Sequence, residues 1–283
     1  MKPAPFSYHR TRSVAETVAL LAELGDGAKI LAGGQSLVPM MNFRLARPSA
    51  LVDITRIPGL DYLKAGPDGL RAGPLTRHRS IELCRDPAVL DGFGVLPRSA
   101  RWIGHYPIRA RGTLGGSIAH ADPAAEWCLL AVLLDARIQL TSPRGQRTIP
   151  VAEFFEGFFT TTAEPDEMIT EIHFPAPARR AALTEFAQRQ GDFAVVAAAV
   201  SIGLETGGTC RELSVVLGGV GPLPHVIDTA DLAGQPATAA TWRNAGELAA
   251  AQIDPPADGH GSAGYRKRLA ATLTERALAE AAR

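Results

Sequence analysis

The sequence predicts an α+β chain, and three observations carry that reading. Near the N-terminus helical and strand patterns alternate: "SVAETVALLAEL", "AKILAGG", "LVPMMNFRL" and "ALVDI" follow one another. In the middle, "ARIQLTSPRGQRTIPV" reads as two strands turning at "PRGQ", among helical stretches. Beyond the proline-marked "FPAPARR", two β-rich runs joined by "TGGT" precede a helical tail.

Taken in order, the first helix opens at Ser13, with Glu16 three residues on as a capping box. Val14, Val18 and Leu21 share its apolar face, and Gly25 supplies a left-handed end. "AKILAGG" is a short buried strand, "LVPMMNFRL" a short helix or turn, and "ALVDI" a second strand. A second unit starts near Pro58, with a strand at "GLRAGPL" and helices at "RSIELCRD" and "VLPRSARWI". In "HADPAAEWCLLAVLLDA", Asp122 is the expected N-cap and Pro123 the first helical residue. "DEMITEIHFP" closes that unit as a strand. "DFAVVAAAVSIGLE" and "RELSVVLGGVG" are strands, and residues 229–262 read as loop and short helix. "GYRKRLAATLTERALAEAAR" is a terminal helix with Tyr265, Leu269, Leu273 and Ala277 spaced by four.

Composition narrows the function. The 283 residues are 46% hydrophobic, enough for a sizeable core. With 29 basic and 29 acidic residues and no basic tract, nucleic acid is not an expected partner. No apolar run reaches membrane-spanning length, and "MKPAPFSYHR" does not resemble a signal peptide, so the expected compartment is the cytoplasm. Cys84, Cys128 and Cys210 are isolated, without the spacing of a zinc or iron–sulfur site. They read as small buried hydrophobes, and no metal ligands are expected.

Two stretches stand out: "LAGGQSLVPMMNFRL" at 31–45 and "RGTLGGSIAHADPAAEW" at 111–127. Each places a glycine pair between an apolar strand-like segment and a helix. Glycine lets a backbone lie close against a ligand, its consecutive N–H groups can form an anion nest, and a following helix adds positive potential. Ser36, Thr113 and Ser117 add hydroxyls. Two such loops suit the two phosphates of a dinucleotide; taken singly, each is equally a tight turn. "GGVGPLP" at 218–224 has prolines where a Rossmann fingerprint needs a helix, no P-loop motif occurs, and Val38 spoils a nucleophile elbow. His120, Asp122 and Glu126 follow the second loop. An acidic residue there can accept from ribose hydroxyls, and His120 is a candidate cofactor contact near phosphate and ribose; Asp122 also fits a helix cap, and His120 equally a structural histidine.

Beyond these residues, "AGGQSLVPMMNFRLARPSALVDI" and "IRARGTLGGSIAHADPAAEW" resemble the paired FAD-binding motifs of the medium subunit of molybdenum hydroxylases, relatives of carbon-monoxide and xanthine dehydrogenases. "FFEGFFTTTAEPDEMITEIHFP", "EFAQRQGDFAVVAAA" and "GYRKRLAATL" resemble later segments of that family in the same order, so the likeness covers nearly the whole chain. It implies a two-subdomain α/β FAD-binding fold of the vanillyl-alcohol oxidase type, at 1–57 and 58–175. A C-terminal domain at 176–283, a small antiparallel sheet with helices, would follow. It implies that Ala32, Gly33, Gly34, Gln35 and Ser36 form one cofactor loop and Thr113, Leu114, Gly115, Gly116 and Ser117 the other. Glu126 then meets the ribose region and Ile169 lies near the flavin ring. Some members carry tyrosine and lysine where this chain has Leu183 and Glu185, and asparagine is frequent at Ala110.

The implied function is electron transfer by bound FAD. Electrons would come from a small partner subunit with two [2Fe-2S] clusters, fed by a large molybdopterin-binding subunit, and pass to NAD or another acceptor. The assembly would be a dimer of such heterotrimers. No side chain is expected to act as a catalytic acid or base. A stand-alone FAD-dependent dehydrogenase with its own substrate pocket is the alternative.

Overall fold

A computed structural model describes residues 2–283. The chain begins with β1 (Ser7–Arg10), α1 (Val14–Leu24), β2 (Ala28–Leu31), α2 (Leu37–Asn42) and β3 (Ala50–Asp53). The strands form a parallel sheet in the order β1-β3-β2, with Arg10, Asp53 and Leu31 in one row. The Ser13 hydroxyl accepts the Glu16 N–H at 3.1 Å, as the capping pattern requires. The Glu16 carboxylate accepts from Arg12 rather than from Ser13, at 2.7 Å. Gly25, at φ 64°, ends α1 in the left-handed region. Val18 and Leu21 are buried against residues of β3 and its exit, including Val52 and Ile54. Because the strands are parallel, the segment after β2 leaves from the carboxyl edge, where open parallel sheets bind ligands.

The middle of the chain forms β4 (Leu63–Gly66), β5 (Gly69–Ala72), α3 (His78–Glu82), α4 (Pro87–Phe93), α5 (Val95–Ala100), α6 (Tyr106–Arg109), α7 (Leu114–His120) and α8 (Glu126–Leu133). It continues with β6 (Arg137–Ser142), β7 (Gly145–Pro150), β8 (Phe155–Gly157), β9 (Thr160–Thr161) and β10 (Met168–Phe174). Five of these strands make an antiparallel sheet in the order β4-β5-β10-β6-β7. The late strand β10 is central, which explains why Met168, Ile169, Ile172 and Phe174 are all buried. Helix α8 is apolar nearly all round, and Trp127, Leu129 and Leu130 are fully enclosed in the main core. Its start corrects an expectation. Ala125, not Asp122, is the N-cap, and the helix begins at Glu126 rather than at Pro123. Asp122 instead accepts the Ala124 N–H at 2.9 Å, closing a separate turn before the helix.

The chain ends with β11 (Ala181–Phe186), β12 (Val196–Leu204), β13 (Cys210–Gly218), β14 (His225–Ile227), α9 (Ala239–Ala251) and α10 (Ala263–Ala281). The four strands form an antiparallel meander in chain order. One face of this sheet packs on α9 and α10; the other joins the main core through Leu183, Ala197, Ala199 and Val216. The stretch 229–262 holds more structure than expected. Thr238 caps the 13-residue α9, whose Ala245, Gly246 and Ala249 allow close approach to α10. In α10 the buried face is Ala270, Leu273, Ala277, Leu278 and Ala281; Tyr265 and Leu269 sit half-buried at its margin. Among the described residues no helix is long and apolar enough to cross a membrane.

Candidate functional site

The two glycine loops touch. A Cβ on Gly33 would lie 2.7 Å from the Cα of Gly112, so only glycine lets the first loop rest on the entry to the second. Gly34, at φ 70°, turns the chain into α2 through the left-handed region. Gly116 is helical, and its need is space: a Cβ would meet the Thr113 hydroxyl at 2.9 Å and point toward the Cβ of Ala32 at 4.0 Å. Gly115 faces the other way, into Pro74, whose Cα a Cβ would approach to 2.8 Å. Ala32 and Gly116 therefore lie side by side, and bring the two loops together at one surface.

The donors are not shared equally between the loops. The N–H groups of Gly33, Gly34, Gln35 and Ser36 find no acceptor among the described residues. The Gln35 side chain donates to the Gly33 carbonyl at 2.9 Å and braces the loop. Ser36 precedes α2 without making a capping bond through its hydroxyl. The second loop differs. Leu114 N–H donates to Thr76 O at 2.9 Å, Gly115 N–H to Pro74 O at 3.0 Å, and Ser117 N–H to Thr113 O at 3.0 Å. Gly116 N–H donates to the Thr113 hydroxyl at 3.1 Å. The expected second anion nest is thus closed by the chain itself, and this loop offers close approach and the half-buried Ser117 hydroxyl instead. Leu114 is a core residue and can serve a ligand only through its main chain. Four uncommitted N–H groups in a row, beside a helix start kept bare by Gly116, suit a diphosphate.

Glu126 is half-buried at the start of α8. Burial pushes its carboxyl up to about 7, and neighbouring Asp122 adds to that. His120 sits in the last turn of α7, its ring 4.9 Å from that of Phe159, at the opposite end from the glycine pair. Burial holds it below the usual histidine range, against the pull of Asp122. Ile169 is buried on β10 at a register shift and packs in the same core as Leu114 and Ile118. The structure brings together the two loops; His120 and Asp122 stand at and just beyond the C-terminal end of α7, and Ile169 lies in one core with Leu114 and Ile118.

Three features were missed in the sequence. Residues Pro74–Thr76 form the floor that accepts the amides of the second loop. His78 lies beneath Gly112, whose Cβ would meet its Nε2 at 2.6 Å. Trp127 donates its indole N–H to His78 Nδ1 at 2.9 Å, so Nε2 carries the proton of a neutral ring. Burial, with nearby Arg109, drives His78 down to about 4. Glu185 was noted only as a departure; burial pushes its carboxyl up to about 9, with Glu126 adding repulsion, and its Oε2 is buried without a partner. No short motif marks these residues, because each works through contacts 34 or more positions away. Among the described residues no cluster of side chains suits a metal ion.

Comparisons with known proteins identify the family. Residues 4–177 match the family described as the FAD binding domain in molybdopterin dehydrogenase. Residues 181–281 match the CO dehydrogenase flavoprotein C-terminal domain. The chain is 40% identical to the 6-hydroxypseudooxynicotine dehydrogenase complex subunit alpha of Paenarthrobacter nicotinovorans, over 99% of this chain and 96% of that one. It is 35% identical to the carbon monoxide dehydrogenase medium chain of Hydrogenophaga pseudoflava, over 98% and 97%. Among solved structures it resembles quinoline 2-oxidoreductase from Pseudomonas putida 86, with a TM-score of 0.94, 36% identity, and 100% and 98% of the two chains covered. The chain belongs to the FAD-binding medium subunits of the carbon-monoxide and xanthine dehydrogenase family of molybdenum hydroxylases.

Proposed function

We propose that this chain holds FAD between its two glycine loops and relays electrons within a molybdenum hydroxylase complex. The observation that carries the reading is the row of free N–H groups from Gly33 to Ser36, on a loop that adjoins Gly116. Those amides would hold the diphosphate, Ser117 would add a hydroxyl, and Glu126 would accept from a sugar hydroxyl. Flavin supplies two-electron and one-electron redox chemistry when bound; the protein binds and orients it and sets its surroundings. The three units would run 1–57, 58–175 and 176–283.

The partners follow from the family: a large molybdopterin subunit and a small subunit with two [2Fe-2S] clusters, two such heterotrimers pairing. Substrate would be oxidised on the large subunit, and the flavin would pass electrons to NAD or another acceptor. The test is anaerobic flavin bleaching. The isolated holoprotein mixed with N-heterocycles or aldehydes should stay yellow, whereas the reconstituted complex with its own substrate should bleach. Bleaching at catalytic rates by the chain alone would overturn the relay and favour a self-sufficient dehydrogenase.

A further inference from the structure

Glu185 lies on the seam between the C-terminal sheet and the flavin-binding part of the chain. Side chains alternate along β11. The Thr184 hydroxyl donates to Leu273 O of α10 at 2.9 Å, and Phe186 meets the Tyr265 ring edge-on at 6.1 Å. Both point to the α10 side, so Leu183 and Glu185 point to the opposite face, where Leu183 joins the main core.

On that face Glu185 is in register with Ala197, and Ala197 with Gly218. A Cβ on Gly218 would lie 2.9 Å from both Pro123 O and Leu129 Cδ1. The stretch from Pro123 to Leu129 therefore lies across this row, with Glu126 midway along it. Glu126 and Leu129 are three residues apart on α8 and share a face, which turns Glu126 toward the same sheet.

No cation is committed to either carboxylate. Asp122 and Cys128 are the ionisable neighbours on the α8 side, and both are acids. From α5, Arg98 donates to Ala181 O at 2.6 Å, four residues and roughly 13 Å along β11 from Glu185. Arg266 of α10 is held by Gly219 O at 2.9 Å, Asp258 at 2.6 Å and Val195 O. Arg189 and Asp192, in the loop after β11, are exposed. β12 carries no ionisable side chain. Two partly buried carboxylates in such surroundings do not both ionise, and a single proton between them removes one charge and makes a strong hydrogen bond.

We propose that Glu185 is a positioning residue of the flavin site: it shares one proton with Glu126 and so fixes the Glu126 carboxylate toward the cofactor. The inference rests on the flavin reading above. Glu185 keeps the proton and donates it to Glu126, leaving the other Glu126 lone pairs for a cofactor hydroxyl. The buried Oε2 that lacks a partner and the upward displacement of both carboxyls agree with this pairing.

The test compares wild type with Glu185→Gln, whose amide donates the same hydrogen bond at every pH, and with Glu185→Leu, which cannot donate. In the apoprotein at pH 7, infrared spectra should show a protonated-carboxyl band that Glu185→Gln removes. FAD affinity of the wild type, followed by flavin fluorescence, should weaken about tenfold as pH rises from 8 through about 9 and the shared proton is lost. Glu185→Gln should hold its affinity flat across that range, and Glu185→Leu should bind weakly throughout. If Glu185→Leu does not fold, the Glu185→Gln profile decides. Absence of the band, or the same pH slope in Glu185→Gln as in wild type, would overturn the proposal. A wild type that binds no FAD at any pH would instead refute the flavin reading itself, and the proposal with it.

Discussion

Residue by residue, the site depends on what glycine omits and on what burial does to charge. Gly33 is the tightest point, because its missing Cβ is replaced by the backbone of Arg111 and Gly112, which cannot swing aside. Gly33→Ala should lower unfolding stability by about 1–3 kcal/mol, measured by denaturant melts of the apoprotein, as overpacked sites do. His78 links stability to pH. Its folded pKa, about 4, lies below the 6.5 of an unfolded histidine, so between those values the unfolded chain binds more protons. The stabilisation is full above pH 6.5 and is lost as pH falls toward 4, about 2–3 kcal/mol over the window. His78→Gln should flatten this acid limb in a series of melting curves; an unchanged limb would assign it to other groups. Glu126 acts in the opposite sense, its contribution falling as pH rises from 4.5 through 7. The glycine pairs were legible in the sequence because close approach needs them whatever surrounds them. The neutrality of His78 was not, since it comes from Trp127, 49 residues on.

At the level of elements, α7 presents the site. Its start is held by Thr113, whose hydroxyl takes the Gly116 N–H and whose carbonyl takes that of Ser117. Thr113→Ala should cost about 1 kcal/mol of stability, as other lost N-caps do. It should also weaken FAD binding, because Gly116 is then free to shift toward Ala32; paired melting and FAD titrations check both. The Ser13 cap on α1, the "PRGQ" hairpin and the "TGGT" hairpin were readable because local chemistry decides them. Asp122 misled because Asx turns and helix caps use the same side chain, and only packing chose between them. Helix α9 was hidden in an alanine- and glycine-rich stretch whose period is weak; its small residues matter only once α10 lies against them.

Across the whole molecule, three sheets meet around the two glycine loops and α8. The parallel sheet delivers the first loop from its carboxyl edge, the central sheet floors the second through Pro74–Thr76, and the C-terminal sheet closes against α8 through Gly218. The α+β class and the FAD-binding family were both legible from the order of motifs along the chain. What the sequence did not disclose is the asymmetry of the two loops, with free donors on one and closed amides on the other, because that depends on which distant carbonyls reach each N–H. The central claim is that FAD lies against the paired glycine loops where Ala32 and Gly116 adjoin. It is tested most directly by titrating apoprotein with FAD for wild type and Gly116→Val, with circular dichroism and melting to show that the variant is folded. The account predicts tight, one-to-one binding by wild type and at least ~100-fold weaker binding by the variant, about 2.7 kcal/mol. A folded Gly116→Val protein that binds FAD as tightly as wild type would contradict it.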